Sequence, residues 1–247
     1  MNLKEEITQL VEKLAGEAKS ELFRKPIVGI SHSDNPLYKD LKDIVGPEHV
    51  HPRDLLPEAK SIISFFIPVS ELVVKTNRIG EIPSKEYAKS YLDENILIDQ
   101  ISDDLVKLLN DKGFKAATIK ATHTYDPETL KSAWSHRSAA YIGNMGQFGV
   151  NRMLITKEGC AGRFGTVITS AEIPLDQEES HEYCLYYKNG SCKKCIDACP
   201  VGALEIDSLD KFKCNDRLLE NMEKLKDVGE CDVCGKCLTI CPVAIIK

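Results

Sequence analysis

The chain has 247 residues, 43% of them hydrophobic and 28% charged, which supplies a packed core and excludes a disordered chain. Its formal net charge of −6 argues against a dominant phosphate-binding surface. No apolar run reaches the roughly 20 residues needed to span a bilayer, and the start, Met-Asn-Leu-Lys-Glu-Glu, lacks a signal-peptide pattern, so the sequence predicts a cytoplasmic protein without a membrane anchor.

Leu3, Ile7, Leu10, Val11 and Leu14 recur at helical spacing and predict an opening amphipathic helix. Residues 26–31 predict a short strand, and residues 61–69 (SIISFFIPV), apolar on both faces, predict a central one. Ser84 is placed to cap a long helix running toward Lys112, with Gly113 as its stop. Residues 115–120 predict the next strand. Asp126-Pro127-Glu128 pairs an acceptor cap with proline at the first helical position, which predicts a helix from there to about Ile142.

Two strands at 152–156 and 165–170, joined by the turn KEGCAGRF, close this part. After Pro174 an acid-rich linker leads into cysteine clusters, so the expected division is a cofactor-binding α/β domain at 1–175 and a ferredoxin-like domain at 176–247. From Glu172 onward, 15 acidic residues stand against 10 basic ones.

Nine of the ten cysteines fall between Cys184 and Cys241. In a reducing compartment such density points to metal rather than disulfides. Cys231-x2-Cys234-x2-Cys237-x3-Cys241-Pro242 is the bacterial ferredoxin run, in which three thiolates hold one cubane and the fourth completes its neighbour. A looser copy reads Cys184, then Cys192-x2-Cys195-x3-Cys199-Pro200, with Asn189-Gly190 able to turn the insertion outward. Zinc ribbons use paired C-x2-C knuckles instead. Two 4Fe-4S clusters need eight thiolates: Cys184, Cys192, Cys195 and Cys241 for one, Cys199, Cys234 and Cys237 plus either Cys214 or Cys231 for the other.

The segments HPRDLLPEAKSIISFFIPV (51–69), AAYIGNMGQFGVNRMLIT (139–156) and GCAGR (159–163), together with both cysteine runs, resemble the epoxyqueuosine reductase family, which is related to the reductive dehalogenases. The resemblance implies an α+β chain: a nitroreductase-like α/β domain holding cobalamin without a protein ligand beneath cobalt, followed by a ferredoxin-like double-cluster domain. It also implies reduction of the corrinoid to Co(I) for reductive cleavage of a small substrate. A ferredoxin or flavodoxin would supply the electrons.

Family members place an aspartate before the glycine loop as proton donor; ungapped alignment puts Leu130 there, with Asp126 one helical turn upstream. Longer relatives carry a helical-repeat extension that grips transfer RNA, whereas this sequence runs only six residues past Cys241. That and the acidic last third give an expectation against a transfer RNA substrate.

Gly143, Gly146 and Gly149 read locally as a helix cap and a tight turn; the resemblance turns them into cofactor contacts, with Phe148, Val150, Asn151 and Arg152 on the same wall. Asp126, Tyr125 and His136 are the candidate proton donors. Trp134 reads as core. Cys160, outside the clusters, reads as a small buried hydrophobe, with a reactive thiolate as the alternative. Two other functions fit the same residues: an electron carrier that reduces a partner's corrinoid or flavin, and a flavin reductase.

Overall fold

An eight-residue run with no polar face can only be a strand covered on both sides, and the computed structural model, which describes residues 2–18, 20–120, 125–175 and 181–246, builds it that way. In chain order its elements are α1 (Leu3–Glu17), β1 (Ile27–His32), α2 (Leu37–Ile44), α3 (Pro52–Leu55), β2 (Ser61–Pro68), α4 (Glu71–Asn77) and α5 (Lys85–Asp111). There follow β3 (Ala116–Thr118), β4 (Tyr125–Asp126), β5 (Lys131–Ser132), α6 (His136–Ile142), β6 (Gly146–Phe148), β7 (Leu154–Thr156) and β8 (Gly162–Thr169). Short helices α7 (Leu185–Asn189) and α8 (Lys194–Asp197), the longer α9 (Lys211–Lys224) and α10 (Lys236–Thr239) carry the cysteines.

The main sheet has the order β1-β2-β8-β3, and every pair in it is antiparallel. Strand alternation sends Ile63, Phe65 and Ile67 of β2, with Val167 of β8, toward α1 and α5. The opposite face presents Ile62, Phe66 and Ile168 to the layer around α6, where Phe66 stacks on Phe164 with ring centres 4.4 Å apart. Helix α1 starts at a capping box formed by Asn2 and Glu5 and buries Ile7, Val11 and Leu14. Helix α5 is capped by Ser84 as its sequence requires, and Gly113 takes φ +82° just beyond its end.

The helix expected over 126–142 forms only as α6. Asp126 Oδ1 accepts from the Glu128 N–H at 2.7 Å, and Leu130 turns into the left-handed region at φ 52°, so Tyr125 and Asp126 pair with Lys131 and Ser132 as a small hairpin. Ser135 then supplies the cap for α6 by accepting from Ser138 N–H. Aspartate followed by proline starts turns as well as helices, and the strand partner decides between them. The expected division near residue 175 abuts residues 176–180, which lie outside the described residues.

The cysteine-bearing segment is stitched to the sheet domain. The Lys236 ammonium, 6% exposed, donates to the carbonyls of Asn77, Ile79 and Ile82 at 2.7, 3.0 and 3.0 Å. Asn77 Nδ2 donates to the Cys234 carbonyl at 3.1 Å, and the Cys160 and Ala161 N–H groups donate to Val243 and Ala244. At Gly235, φ +65° and a Tyr87 ring only 2.1 Å from where a Cβ would sit leave room for glycine alone. Replacing Lys236 with methionine would strand three buried carbonyls; we expect anaerobic urea unfolding to show a loss of about 3 kcal/mol with an unchanged slope.

A cleft between the sheet domain and the cysteine segment

Two groups of four thiols emerge. Cys184 at the start of α7, Cys192, Cys195 on α8 and Cys241 beyond α10 line one small cavity together with Val150 and Asn151. Cys199, Cys214 on α9, Cys234 and Cys237 on α10 stand on the wall of a larger cavity of about 590 Å³. Each C-P cysteine thus joins the other run's group, as the ferredoxin spacing requires. Cys231 lines neither cavity; it is fully buried among Ala88, Tyr91, Leu225 and Val233.

Electrostatics separates the same residues. Burial, followed by Cys234 and Cys199, pushes the Cys214 thiol up to about 11. Burial, followed by Cys234, Cys214, Cys199 and Cys195, pushes Cys237 up further. Burial also raises Cys231, but the charges acting on it are Asp232 and Asp227 rather than other thiols. Thiols crowded in this way resist ionisation until a cationic centre reverses the balance, so the donor set suits iron. Among the described residues no three His, Cys, Asp or Glu side chains converge on a single-ion position.

The large cavity lies where the two parts of the chain meet, and its size is within the range of small-molecule and cofactor sites. Tyr87, Tyr91 and Glu94 of α5, Tyr125 and Leu130 of the hairpin, and His136 and Arg137 of α6 face it from the sheet domain. Among the described residues His136 is the one histidine on this wall. Its Nδ1 lies 2.8 Å from Thr166 Oγ1 and its Nε2 3.4 Å from the Lys120 carbonyl, while Thr166 Oγ1 also accepts from Trp134 Nε1 at 2.9 Å. The network suits a neutral ring in which Thr166 donates to Nδ1 and Nε2 donates to the carbonyl. Desolvation holds His136 down at about 4.

The candidate donors separate. Tyr125 and His136 face the large cavity; Asp126 does not. Asp126 is exposed, and its hydrogen bond from the Glu128 backbone holds its carboxyl below the usual range, where it is a poor acid at neutral pH.

The glycine loop also divides. Asn151 and Arg152 stand on the cavity wall, whereas Gly143, Gly146, Phe148, Gly149 and Val150 do not line it. Gly146 is required by the chain itself, since a Cβ there would lie 2.1 Å from the Ile155 carbonyl oxygen across the β6–β7 pair. Gly149 abuts the Ile155 side chain, Gly143 caps α6, and Phe148 packs beside Tyr141. Val150 packs with Cys195 and Leu204 around the other thiol group. Arg152, at φ 61°, donates to the Glu205 and Ile206 carbonyls. Trp134 is buried between Tyr38 and His49. Cys160 is fully buried, accepts from Asn151 Nδ2 at 3.5 Å and is hydrogen-bonded to Cys241, which raises its thiol well above the usual range.

Glu94 escaped the sequence reading. It is 3% exposed, lines the cavity, and its Oε1 has no hydrogen-bond partner. Burial raises its carboxyl to about 8 against the opposing pull of Arg163. The signal was present: Glu94 shares the buried face of α5 with Tyr91, Ile98, Ile101 and Leu105, where an apolar residue is the ordinary choice.

Comparison with known proteins gives a consistent picture. A 4Fe-4S dicluster domain family matches residues 190–245. The epoxyqueuosine reductase of Bacillus subtilis (strain 168) is 26% identical over 211 residues, covering 79% of this chain and 50% of that protein. The chain therefore spans about half the length of this curated relative. An epoxyqueuosine reductase solved with a tRNA-Tyr epoxyqueuosine-modified tRNA stem loop superposes with a TM-score of 0.57 at 24% identity, covering 96% of this chain and 66% of that one. A reductive dehalogenase, whose structure suggests a mechanism for B12-dependent dehalogenation, superposes with a TM-score of 0.61 at 15% identity over 87% of this chain and 29% of its own. Among the described residues no helix is long and apolar enough to cross a membrane.

These relatives overturn the expectation against transfer RNA, because epoxyqueuosine reductases are the matched proteins and one was solved with a tRNA stem loop. The charge argument failed because it averaged over a segment. Among the described residues the cleft wall gathers Lys131, Arg137, Arg152, Arg163, Lys211 and Arg217 against only Glu94 and Asp232.

The depressed His136 value sets a pH dependence. The unfolded chain takes up this proton first, so the fold weakens as pH falls from about 6.5 toward about 4. An NMR titration should find the His136 ring neutral at pH 6, and His136→Asn should flatten the acid limb of the stability curve.

Proposed function

We propose that this homologue of the epoxyqueuosine reductases is itself a cobalamin-dependent iron–sulfur reductase, in which single electrons cross two 4Fe-4S clusters to a corrinoid in the cleft. The observation that carries the reading is the placement of the thiols: one group of four sits inside the cysteine segment, and the other opens onto the wall of the large cavity. A cluster held by Cys199, Cys214, Cys234 and Cys237 would border whatever the cavity binds. When bound, the corrinoid supplies a strongly nucleophilic reduced cobalt centre.

The protein's own part is to position, to neutralise charge and to supply protons. Arg137, held by the Arg152 carbonyl at 2.9 Å, and Arg163, stacked 4.6 Å over the Tyr91 ring, bring positive charge to the wall and favour phosphate or carboxylate groups on a ligand. The epoxyqueuosine-modified tRNA stem loop is accordingly the first substrate to assay, beside a small organohalide.

Anaerobic reconstitution followed by iron, sulfide and cobalamin titrations tests the reading. About eight irons per chain with one corrinoid, reducible through the clusters, supports it. The same iron with no corrinoid leaves an electron carrier for a partner, or a flavin reductase if flavin binds instead. The ligand set has a sharper test. Cys214→Ser is expected to lower the iron content to about four per chain, and Cys231→Ala to leave it near eight. The reverse result would make Cys231 the eighth ligand.

A further inference from the structure

Glu94 is a carboxyl buried to 97% on the wall of a cavity that gathers mostly cationic side chains, yet among the described residues no ion pair involves it and Oε1 has no hydrogen-bond partner. Buried polar atoms are nearly always satisfied, and an orphan on a cavity wall points to a group the cavity is built to receive. It lies inside the 27-residue α5, about three turns from its start. We propose that Glu94 is the acid of this cleft, the group that delivers a proton to a substrate undergoing reductive cleavage there. This rests on the reductase reading and assigns it a residue of α5 rather than of the Asp126 turn.

The surroundings keep the proton in place. Arg163 of β8 acts on Glu94 through its charge and a backbone hydrogen bond, and Tyr87 feels the carboxyl from the same helix. Tyr91, His136, Arg137 and Asp232 line the same cavity. The Tyr91 hydroxyl is already committed to Asp232, and His136 is neutral and held on both nitrogens. Desolvation outweighs Arg163, so the carboxyl remains protonated up to about pH 8. In the step it serves, a ferredoxin- or flavodoxin-class donor supplies two electrons one at a time. The bond from the substrate carbon to its leaving oxygen or halide breaks, and the leaving group departs with the bonding pair. With a halide the carbon takes the two supplied electrons together with the Glu94 proton to form C–H. With an epoxide both C–O bonds break, the two electrons form the C=C bond, and the oxygen leaves as water with the Glu94 proton and a second one from solvent. In either case the carboxylate regains its proton from water. A neutral buried acid suits this role because giving up its proton leaves a charge that the nearby guanidinium groups can balance.

Two variants test it in the iron-loaded full chain, with hydroxocobalamin as ligand probe and the epoxyqueuosine-modified tRNA stem loop as turnover probe. Infrared difference spectra of wild type against Glu94→Gln should show a protonated-carboxyl band at pH 7 that disappears as pH passes about 8 and shifts when hydroxocobalamin is added. Turnover should fall by about 100-fold or more in Glu94→Gln, with iron content and probe affinity unchanged, and recover in part in Glu94→Asp. An ionised carboxyl at pH 7, or a band that ignores the bound probe, overturns the proposal. So does a Glu94→Gln chain that turns over like wild type, and in that case the reductase reading stands. If wild type binds hydroxocobalamin but does not turn over the stem loop, the infrared result decides. Failure of wild type to bind the probe at all brings down the reductase reading and this proposal with it.

Discussion

Short helices joined by loops cannot hold two groups of four thiols at fixed positions by themselves, because the segment has little core of its own. The fixed positions come from the sheet domain. Lys236 is clamped by the three carbonyls around the end of α4, Ala244 packs against Val69 and Val73, and the chain after Cys241 pairs its carbonyls with Cys160 and Ala161. The cleft exists because these contacts hold the cysteine segment against one edge of the sheet domain while leaving a gap beside it.

Helix α5 joins the two parts mechanically. Its last turns bury Leu97, Ile98, Ile101 and Leu105 against α1 and the sheet, and its first turns bury Ala88 and Tyr91 against Leu225, Cys231 and Val233. Between these contacts the same helical face passes the cavity, and Glu94 occupies that interval. A single helix therefore sets the distance between the sheet core and the thiols, and also carries Glu94 to the cavity wall.

Charge is distributed to match. The chain as a whole is acidic, but the cleft collects Arg and Lys from β5, α6, β8 and α9. Such a field favours groups of negative charge, and the low dielectric of a partly closed cleft strengthens it.

Local rules made much of the protein legible in the sequence. Ser84 and Gly113 bound α5 because caps act within one turn, SIISFFIPV is central because its pattern has no polar face, and the C-P spacing assigns cysteines to crossed groups because a cubane has fixed corners. Tertiary packing decided the remainder. Asp126 forms a hairpin turn because residues 131 and 132 pair with its strand, and Gly146 serves the close β6–β7 approach. Cys214 faces the thiols while Cys231 is absorbed into a core, a choice that no spacing contains. Glu94 became conspicuous only when the cavity beside it was seen, since burial and the absence of a partner are properties of surroundings and not of residue order.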